Sequence, residues 1–284
     1  MPPAAVFKAE QRGDKHRAMI SRRSFFAAAL ALPVAAQERR PFRWPAGKRA
    51  AISLTFDDAR VSQIDTGIPL LERCGVKATF YLSPSNMTKR SEGWKQVAAA
   101  GVHEIGSHSY SHPCTANYRF ARSNALEDFT LARMEADVER GNEEIRRLVG
   151  VKPVSFAYPC GQKYVGRGEK TQSYVPLIAK RFLTGRGFLD ESANDPQVCD
   201  LAALMGIACD EMDYQQMDKI VQAAAQEGRW LIFAGHEIGK PGRQTTHADA
   251  LEQLCRYAAD PANGLWIDTV ERIARYVQAQ QSIK

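Results

Sequence analysis

The most regular hydrophobic pattern in the chain is a short alternation of apolar residues with small or polar ones. Ile52, Leu54 and Phe56 occupy every second position, and Asp57 and Asp58 follow directly. An alternation with a period of two predicts a β-strand that has one face in a hydrophobic core. We therefore expect a buried strand that ends in two adjacent carboxylates.

Further apolar runs of strand length alternate with segments of helical period along the rest of the chain. Strands are predicted at 77–82, 103–108, 154–158, 204–209, 230–234 and 265–267, and helices at 63–74, 92–100, 126–148, 175–180 and 214–227. The apolar positions of the longest helical segment recur as they do on the core-facing side of a helix. Recurring strand–helix alternation is typical of an α/β fold, and we favour a barrel over an open sheet.

The first 36 residues are predicted to be a leader. Residues 21–26 match the twin-arginine export pattern, and the apolar run 25–36 ends in small side chains. This run is too short to span a bilayer, and its small-residue end suits cleavage by a signal peptidase. We expect an exported protein, periplasmic or extracellular, without a stable membrane span. An N-terminal helix packed on the domain is the alternative.

Two features refine the boundaries of the folded part. Met19 lies ahead of the twin-arginine pattern and is a second candidate start, in which case residues 1–18 are not translated. Residues 37–47 contain two prolines, which disfavour regular structure, and are predicted to form an extended linker. A single catalytic domain is then expected over residues 48–284, a length that suits one barrel.

Removal of the leader changes the charge balance. The full chain has 38 Lys and Arg against 32 Asp and Glu, of which residues 1–36 hold six and two, respectively. The remaining chain carries 32 basic and 30 acidic residues, so its formal charge is near +2 instead of +6. The composition therefore gives no support for nucleic-acid binding.

Two histidines follow the third predicted strand. His108 and His112 are four residues apart, and Pro113 prevents a helical continuation. Adjacent carboxylates disfavour joint ionisation unless a positive charge lies nearby, and a divalent cation supplies one. We predict that Asp58, His108 and His112 hold one such ion, with Zn²⁺ preferred over Co²⁺, Ni²⁺ and Fe²⁺. Because successive strand residues point to opposite sides, Asp57 is expected to point away from the ion and to stay free as a base. The alternative interpretation of the Asp57–Asp58 pair is a solvated acidic turn.

Six cysteines in an exported chain permit disulfide bonds, and none forms the Cys-x-x-Cys pair of a structural zinc ribbon. Cys114 and Cys160 are predicted to lie in loops near the candidate metal site. These two side chains can approach each other, and the sequence leaves their pairing open.

The segments Thr-Phe-Asp-Asp at 55–58 and His-Ser-Tyr-Ser-His at 108–112 resemble the polysaccharide deacetylase (NodB-homology) superfamily, carbohydrate esterase family 4. The likeness extends over about residues 48–276. It implies a distorted (β/α)7-type barrel in a single domain, with the metal site at the C-terminal ends of the strands. It also implies a hydrolase that removes N- or O-acetyl groups from a polysaccharide or oligosaccharide, with metal-bound water as the nucleophile.

The segment that follows the fourth predicted strand resembles the third motif of this family. The resemblance implies that the backbone N–H of Cys160 holds the oxyanion and that Tyr158 and Pro159 contact the substrate. Many members carry, at the position of Ala157, an arginine that pairs with the catalytic aspartate. Arg186, at the end of a later strand, is predicted to supply this guanidinium, and a surface charge is the alternative.

Two later segments complete the resemblance. Residues 210–214 resemble an Asp-x-x-Asp-Trp motif with Tyr214 in place of tryptophan, which implies substrate contact there. Asp213 is then expected to orient the catalytic histidine; a helix N-cap is the alternative. A later apolar strand leads to His236, which is predicted to donate a proton to the leaving group. Trp266 is predicted to line the cleft, with a core aromatic as the alternative.

Two other functions are compatible with these residues. The same superfamily includes hydrolases of small cyclic amides and imides. A catalytically silent glycan-binding protein would keep the fold without the reaction, although the motifs retain their chemically active residues apart from the relocated arginine. The sequence does not indicate an oligomeric state.

Overall fold

A computed structural model describes residues 41–282, so the predicted leader lies outside the described residues. The strands are β1 (Ala50–Asp57), β2 (Thr79–Leu82), β3 (Glu104–Ser107), β4 (Ser155–Ala157), β5 (Tyr164–Val165), β6 (Gln172–Ser173), β7 (Thr184–Arg186), β8 (Ile207–Ala208), β9 (Trp230–Gly235), β10 (Glu237–Gly239), β11 (Thr245–His247) and β12 (Leu265–Ile267). The α-helices are α1 (Ile68–Arg73), α2 (Pro84–Met87), α3 (Ser91–Ala100), α4 (Leu131–Val149), α5 (Val175–Ala179), α6 (Tyr214–Gln226), α7 (Ala248–Ala259) and α8 (Val270–Gln281). None of these described helices has the length and apolar character needed to cross a membrane.

Seven strands lie side by side in one parallel sheet in the order β7-β4-β3-β2-β1-β9-β8, and β12 pairs with the beginning of β1. Leu204, just before β8, pairs with Arg186 of β7 and so joins the two edges of the sheet. Its N–H donates to the Gly185 carbonyl at 2.8 Å, and the Gly187 N–H donates to the Leu204 carbonyl at 2.7 Å. The predicted α/β fold, a distorted (β/α)7-type barrel in one domain, is confirmed.

The outward face of β1 carries the hydrophobic alternation that the sequence shows. Ile52, Leu54 and Phe56 are buried in the largest hydrophobic cluster. This cluster includes side chains of the surrounding helices, such as Leu71 of α1 and Trp94 of α3. Burial of this face against the helices therefore fixes which residues of β1 point into the barrel.

The opposite face of the strands gives the barrel a polar interior. Glu104 on β3 is buried and accepts hydrogen bonds from the hydroxyl groups of Thr79 and Ser155 on the neighbouring strands. The Ser53 hydroxyl on β1 accepts a hydrogen bond at 3.1 Å from the buried indole N–H of Trp230 on β9. The same row of β1 ends at Asp57. The alternation along β1 therefore places the carboxylate of Asp57 inside the barrel, at the end where the parallel strands have their C-termini.

Local structure departs from the predicted boundaries at several places. The helix predicted at 126–148 begins as α4 only at Leu131, after a 3₁₀ turn at Leu126–Asp128. The helix predicted at 63–74 starts as a π-helix, Gln63–Gly67, and becomes α1 only at Ile68. The strand predicted at 204–209 is reduced to β8, because Leu204 is bonded to β7 instead. A short parallel pair, β10 and β11, lies between β9 and α7, where the sequence predicts no strand.

Candidate active site

The carboxyl ends of the parallel strands bring several loops to one rim of the barrel. Many of the non-glycine residues with positive φ lie in the loops after β1, β3, β4, β7 and β8, namely Asp58, Ala59, Ser109, His112, Cys160, Leu189 and Glu211. Such conformations cost about 1–3 kcal/mol each and are concentrated at functional sites. Their clustering indicates that this rim is the functional face of the barrel.

Asp58, His108 and His112 lie together at this rim. Their ligand atoms are all within 4.8 Å of one another. Asp58 Oδ1 is 3.6 Å from His108 Nε2 and 3.4 Å from His112 Nε2. His108 Nδ1 lies 2.9 Å from the Ala157 carbonyl, and because a carbonyl only accepts, Nδ1 carries the proton. The lone pair of Nε2 is thereby left on the side of Asp58, as in metal-binding histidines.

The charges in this group suit a divalent cation. Burial alone would raise the pKa of Asp58, but the three histidines of the rim and Arg60 lower it to about 2. Burial, assisted by the neighbouring His108, lowers the pKa of His112 to about 4. At neutral pH these residues present an ionised carboxylate and a neutral imidazole, which are the forms that bind metals. Two imidazoles and one carboxylate fit Zn²⁺, Co²⁺, Ni²⁺ or Fe²⁺ with further coordination positions open.

Asp57 ends β1 beside this group and contacts Arg186. Nη2 of Arg186 donates to Asp57 Oδ1, and its Nη1 donates to the Gly187 carbonyl at 2.7 Å. The other carboxylate oxygen, Asp57 Oδ2, is 4.0 Å from His108 Nε2. Arg186 is fully buried, and its register partner on β4 is Ala157. Because β7 and β4 are neighbouring strands, Arg186 places its guanidinium against Asp57 from the position beside Ala157.

His236 is held by Asp210. His236 Nδ1 lies 2.6 Å from Asp210 Oδ2, and the His236 backbone N–H donates to Asp210 Oδ1 at 3.0 Å. The Thr246 hydroxyl donates to the same Oδ1 at 3.0 Å. Burial would lower the pKa of His236, but the hydrogen bond to Asp210 and the charge of Asp57 raise it. The protonated ring is thus favoured, and Nε2 is the nitrogen left to donate.

Asp213, which the sequence predicts as the partner of His236, is instead the N-cap of α6. Its Oδ1 accepts from the Gln216 backbone N–H at 2.8 Å, and the Gln216 side chain accepts from the Asp213 N–H at 2.9 Å. This capping box satisfies amide groups that the first turn of a helix leaves without partners. The prediction for Asp213 is wrong because the earlier acid of the motif, Asp210, which follows β8, is the one whose carboxylate lies against His236 at the end of β9.

Cys160 forms a disulfide bond with Cys114. The bond joins the loop that carries His112 to the turn after β4. Both sulfurs lie close to a nitrogen of His112, but the disulfide removes them as metal ligands and as nucleophiles. The predicted role of Cys160 depends on its backbone N–H, which the disulfide leaves unchanged. That residue adopts φ 53° within the turn.

Two of the residues predicted to contact the substrate are buried, and a third is partly buried. Tyr158 is fully buried, and its hydroxyl donates to the Ala202 carbonyl at 2.7 Å. Pro159 is buried next to it. Tyr214 is the first residue of α6 and packs, partly buried, against the large hydrophobic cluster. Burial within the protein therefore leaves Tyr158 and Pro159 without the predicted side-chain contact to the substrate. The predicted contact of Tyr214 stays a prediction.

Trp266 lies towards the opposite end of the barrel. It pairs in register with Ala51, which is roughly 20 Å from Asp57 along an extended strand. Its ring packs edge-on against Trp44, with centroids 6.2 Å apart, and against Tyr276, with centroids 5.4 Å apart. The prediction that Trp266 lines the cleft is wrong, and its alternative, a packed aromatic, describes the structure.

Two residues that the motifs do not single out organise the rim. Gln63 Nε2 donates to the carbonyl of Asp57 at 2.6 Å and to that of His236 at 2.9 Å, so it ties the end of β1 to the end of β9. Arg60 donates from Nη2 and Nε to Asp58 Oδ2 at 2.9 and 3.2 Å. Both residues follow the acidic pair within a few positions, and that proximity in sequence is the signal that points to them.

Residues 44–173 match a family model described as polysaccharide deacetylase. The chain is similar to the uncharacterized protein YlxY of Bacillus subtilis, with 35% identity over 94 residues that cover 33% of this chain and 26% of the relative. It is also similar to the peptidoglycan-N-acetylglucosamine deacetylase of Bacillus cereus, with 32% identity over 120 residues that cover 40% of this chain and 38% of the relative. The chain thus spans less than two fifths of the length of either curated relative.

Among solved structures, the chain is similar to a protein from Mycobacterium smegmatis that is assigned as a polysaccharide deacetylase. The TM-score is 0.63 at 18% identity, and the match covers 85% of this chain and 94% of that one. At this level of identity the likeness concerns the fold. The family match over residues 44–173, the barrel and the two motifs on its rim agree with one another, and this part of the chain is similar to the polysaccharide deacetylase family.

Proposed function

We propose that this protein is a metal-dependent hydrolase that removes acetyl groups from a glycan. The observation that carries the proposal is the convergence of five side chains on one rim: Asp57, Asp58, His108, His112 and His236. A cation site, a neighbouring carboxylate and a protonated imidazole are the groups that hydrolysis of an amide or ester requires. The name of the Bacillus cereus relative supports a sugar polymer with N-acetylglucosamine units as the substrate.

Asp58, His108 and His112 would hold one divalent cation, with Zn²⁺ preferred over Co²⁺, Ni²⁺ and Fe²⁺. When bound, such a cation lowers the pKa of a coordinated water and polarises the acyl carbonyl. The carboxylate of Asp58 is oriented by a hydrogen bond from the protein itself. Arg60 holds Asp58 through Oδ2, so that Oδ1 is the oxygen nearest to both histidines.

Asp57 is placed to accept a proton from the attacking water. Arg186 engages Oδ1 and fixes the orientation of the carboxylate, while Oδ2 is the oxygen turned toward His108. The guanidinium is itself held by the Gly187 carbonyl and is fully buried, so it has little freedom to move. A base that is already oriented avoids the cost of ordering it during the reaction.

His236 is placed to donate a proton from Nε2 to the leaving nitrogen or oxygen. Asp210 orients the ring through Nδ1 and favours its protonated form. On the side of β4, the backbone N–H of Cys160 is proposed to donate to the oxyanion that develops on the acyl group. Donors that are fixed where charge develops supply a large share of catalysis in such reactions.

Export to the periplasm or the cell exterior is part of the proposal. The twin-arginine pattern at residues 21–26 lies outside the described residues. The disulfide between Cys114 and Cys160 supports export, because disulfides form and persist in oxidising compartments.

The reaction can be tested by measuring acetate release from N-acetylated chito-oligosaccharides, peptidoglycan and acetylated xylan, with metal content determined on the same sample. Small cyclic imides are assayed in parallel. Acetate release from a glycan without turnover of imides is the expected result. The reverse pattern would identify a cyclic amide hydrolase, and glycan binding without acetate release by metal-loaded protein would identify a silent binding protein.

The role of the base is tested with Asp57→Asn. We expect the rate to fall by roughly 10²–10⁴-fold, the usual contribution of a general base. Metal content should be retained, because the three ligands are unchanged. Asp249→Asn, an exposed acid on the outer helix α7, is the matched control and should behave as the wild type. Near-normal turnover by Asp57→Asn would contradict the assignment.

A further inference from the structure

The described part of the chain contains a second group of metal-ligating side chains, and this group shares one residue with the first. A nitrogen of His112 and the sulfurs of Cys114 and Cys160 all lie within 4.8 Å of one another. His112 is also a member of the catalytic group, in which its Nε2 is 3.4 Å from Asp58 Oδ1. The thiolate is the form of cysteine that binds metals, so the second group cannot hold an ion while Cys114 and Cys160 are bonded to each other.

The two groups use different nitrogens of the same imidazole. Cys114 Sγ is 3.7 Å from His112 Nδ1, whereas Asp58 lies on the side of Nε2. A neutral imidazole has one lone pair, and its other nitrogen carries the proton. A cation bound at Nδ1 therefore places the proton on Nε2, which can then donate to Asp58 but cannot hold the catalytic ion. Ligation by His112 in one group excludes ligation by His112 in the other.

The spacing of the second group suits a tetrahedral cation once the disulfide is open. Zn–S distances of about 2.3 Å and Zn–N distances of about 2.0–2.1 Å place the S and N atoms of neighbouring ligands about 3.6 Å apart. The distance between Cys114 Sγ and His112 Nδ1 is already 3.7 Å. The Cα atoms of Cys114 and Cys160 are 6.1 Å apart, so side-chain rotation can bring the released sulfurs to the roughly 3.8 Å that the same geometry requires. Two thiolates and one imidazole, with water in the fourth position, form a ligand set that suits Zn²⁺.

The bond that closes this group can be opened by thiol–disulfide exchange. Cys114 is fully buried, but Cys160 and His112 are partly exposed. One thiolate of a dithiol reductant attacks the Cys160 sulfur and releases Cys114, and the second thiolate then displaces Cys160, so that two cysteine thiols form and the reductant becomes a disulfide. A divalent cation that binds both sulfurs releases their two protons to water.

We propose that reduction of the Cys114–Cys160 bond opens a thiolate metal site at Cys114, Cys160 and His112, which withdraws His112 from the catalytic group. The reduced protein then binds metal at the wrong place, and only the oxidised protein is active. The effect on activity rests on the proposed function, whereas the binding of metal by the thiolates does not. Thiols are kept reduced in the cytosol and disulfides persist in exported proteins, so this site makes activity depend on an oxidising compartment.

The metal site is tested with Co²⁺ as the probe, because a thiolate bound to cobalt gives a charge-transfer absorption that nitrogen and oxygen ligands do not give. One equivalent of Co²⁺ is added to oxidised protein and to protein that has been reduced with dithiothreitol and freed of it under nitrogen. We expect the absorption in the reduced protein and not in the oxidised one.

Reduced Cys114→Ala/Cys160→Ala is the matched control for this spectrum. The variant should lack the absorption although it keeps the four other cysteines, namely Cys74, Cys199, Cys209 and Cys255. An absorption of equal strength in the variant, or none in the reduced wild type, would overturn the inference.

Activity is measured on the same preparations after loading with one equivalent of Zn²⁺. Acetate release by the wild type is expected to fall at least about tenfold on reduction, the scale on which a disturbed ligand shell lowers activity, and to return when oxidised glutathione closes the bond. Cys114→Ala has neither the bond nor the second thiolate, so its activity should be the same with and without reductant. If Cys114→Ala is as inactive as the reduced wild type, and the reduced wild type shows no thiolate absorption, the disulfide acts only as a tether and the inference is wrong.

The two measurements separate this inference from the proposed function. The cobalt spectrum decides whether the thiolate site forms even if no acetate is released from any substrate. Equal acetate release in both redox states, without a thiolate absorption, would refute the switch and leave the proposed hydrolase in place. The comparison of oxidised with reduced wild type needs no substitution, so it remains decisive if a variant fails to fold.

Discussion

The contact between Asp210 and His236 offers a direct test of the active-site geometry. In Asp210→Asn, Oδ1 can still accept from the His236 N–H and from the Thr246 hydroxyl. The new NH₂ group then faces His236 Nδ1. Because an NH₂ group only donates, Nδ1 must accept, and it can do so only when the imidazole is neutral. The substitution therefore removes the support for the protonated ring while keeping the shape of the site.

The size of the effect follows from the lost hydrogen bond. Hydrogen bonds to charged groups contribute about 1.5–3 kcal/mol. At about 1.4 kcal/mol per factor of ten, the protonated fraction of His236 at alkaline pH falls by roughly 10- to 100-fold. His236 is protonated below its raised pKa, so activity is present at lower pH and is lost as the pH rises through that pKa. In Asp210→Asn the alkaline limb of the kcat/KM profile should therefore move to lower pH.

Asp213→Ala is the matched comparison, three residues further along the chain. Loss of this N-cap should destabilise the protein by about 1 kcal/mol. For a domain of this size that is a decrease of about 2–4 °C in melting temperature. The pH profile should be unchanged, because Asp213 is exposed and makes its contacts with the first turn of α6.

The assay is acetate release from an N-acetylated chito-oligosaccharide over a range of pH, because an amine leaving group requires a proton donor. Thermal unfolding of the same samples gives the stability. A displaced alkaline limb in Asp210→Asn and a normal one in Asp213→Ala is the expected result. The opposite pattern would show that the structure assigns the wrong acid to His236.

Three further predictions concern the metal site and the disulfide. His112→Ala removes one of three ligands, so zinc retained after dialysis and acetate release should both fall steeply; full zinc content would argue against the site. Arg60→Gln releases the carboxylate of Asp58, and we expect zinc affinity, measured by competition with a chromogenic chelator, to fall roughly 10- to 100-fold. An unchanged affinity would mean that Arg60 does not position the ligand. The oxidised protein, unfolded without reductant, should show four thiols, because Cys114 and Cys160 are bonded and four other cysteines are free; six thiols would contradict the bond.

Local patterns were sufficient for the parts of the site that follow directly from one strand. The period of two in β1 determines which side chains face the helices, and so it determines that Asp57 points inward at the carboxyl end. His108 follows β3, the third strand along the chain, and reaches the same rim because parallel strands share one carboxyl edge. No knowledge of long-range contacts is needed for these placements beyond the expectation of a parallel sheet.

Residues in turns were harder to predict, because spacing does not determine direction there. Glu211 adopts φ 64° directly after Asp210, so the chain reverses within the motif and the two acids separate. Asp210 then reaches His236, while Asp213 caps a helix. The prediction for Trp266 is wrong for another reason. Strand β12 pairs with the beginning of β1 and not with its end, and the hydrophobic pattern does not encode that register.

Arg186 shows what strand order adds to a motif. Within the segment around β4 alone, Ala157 stands where the family resemblance leads one to expect an arginine beside Asp57. In the sheet, β7 lies beside β4 and Arg186 is in register with Ala157, so a guanidinium from either strand enters the same interior space next to Asp57. Ala157 and Arg186 are 29 positions apart in sequence but are register partners in the sheet. A site that looks incomplete when each motif is considered separately is complete in the fold, because the long-range pairing of parallel strands determines which side chains can substitute for one another.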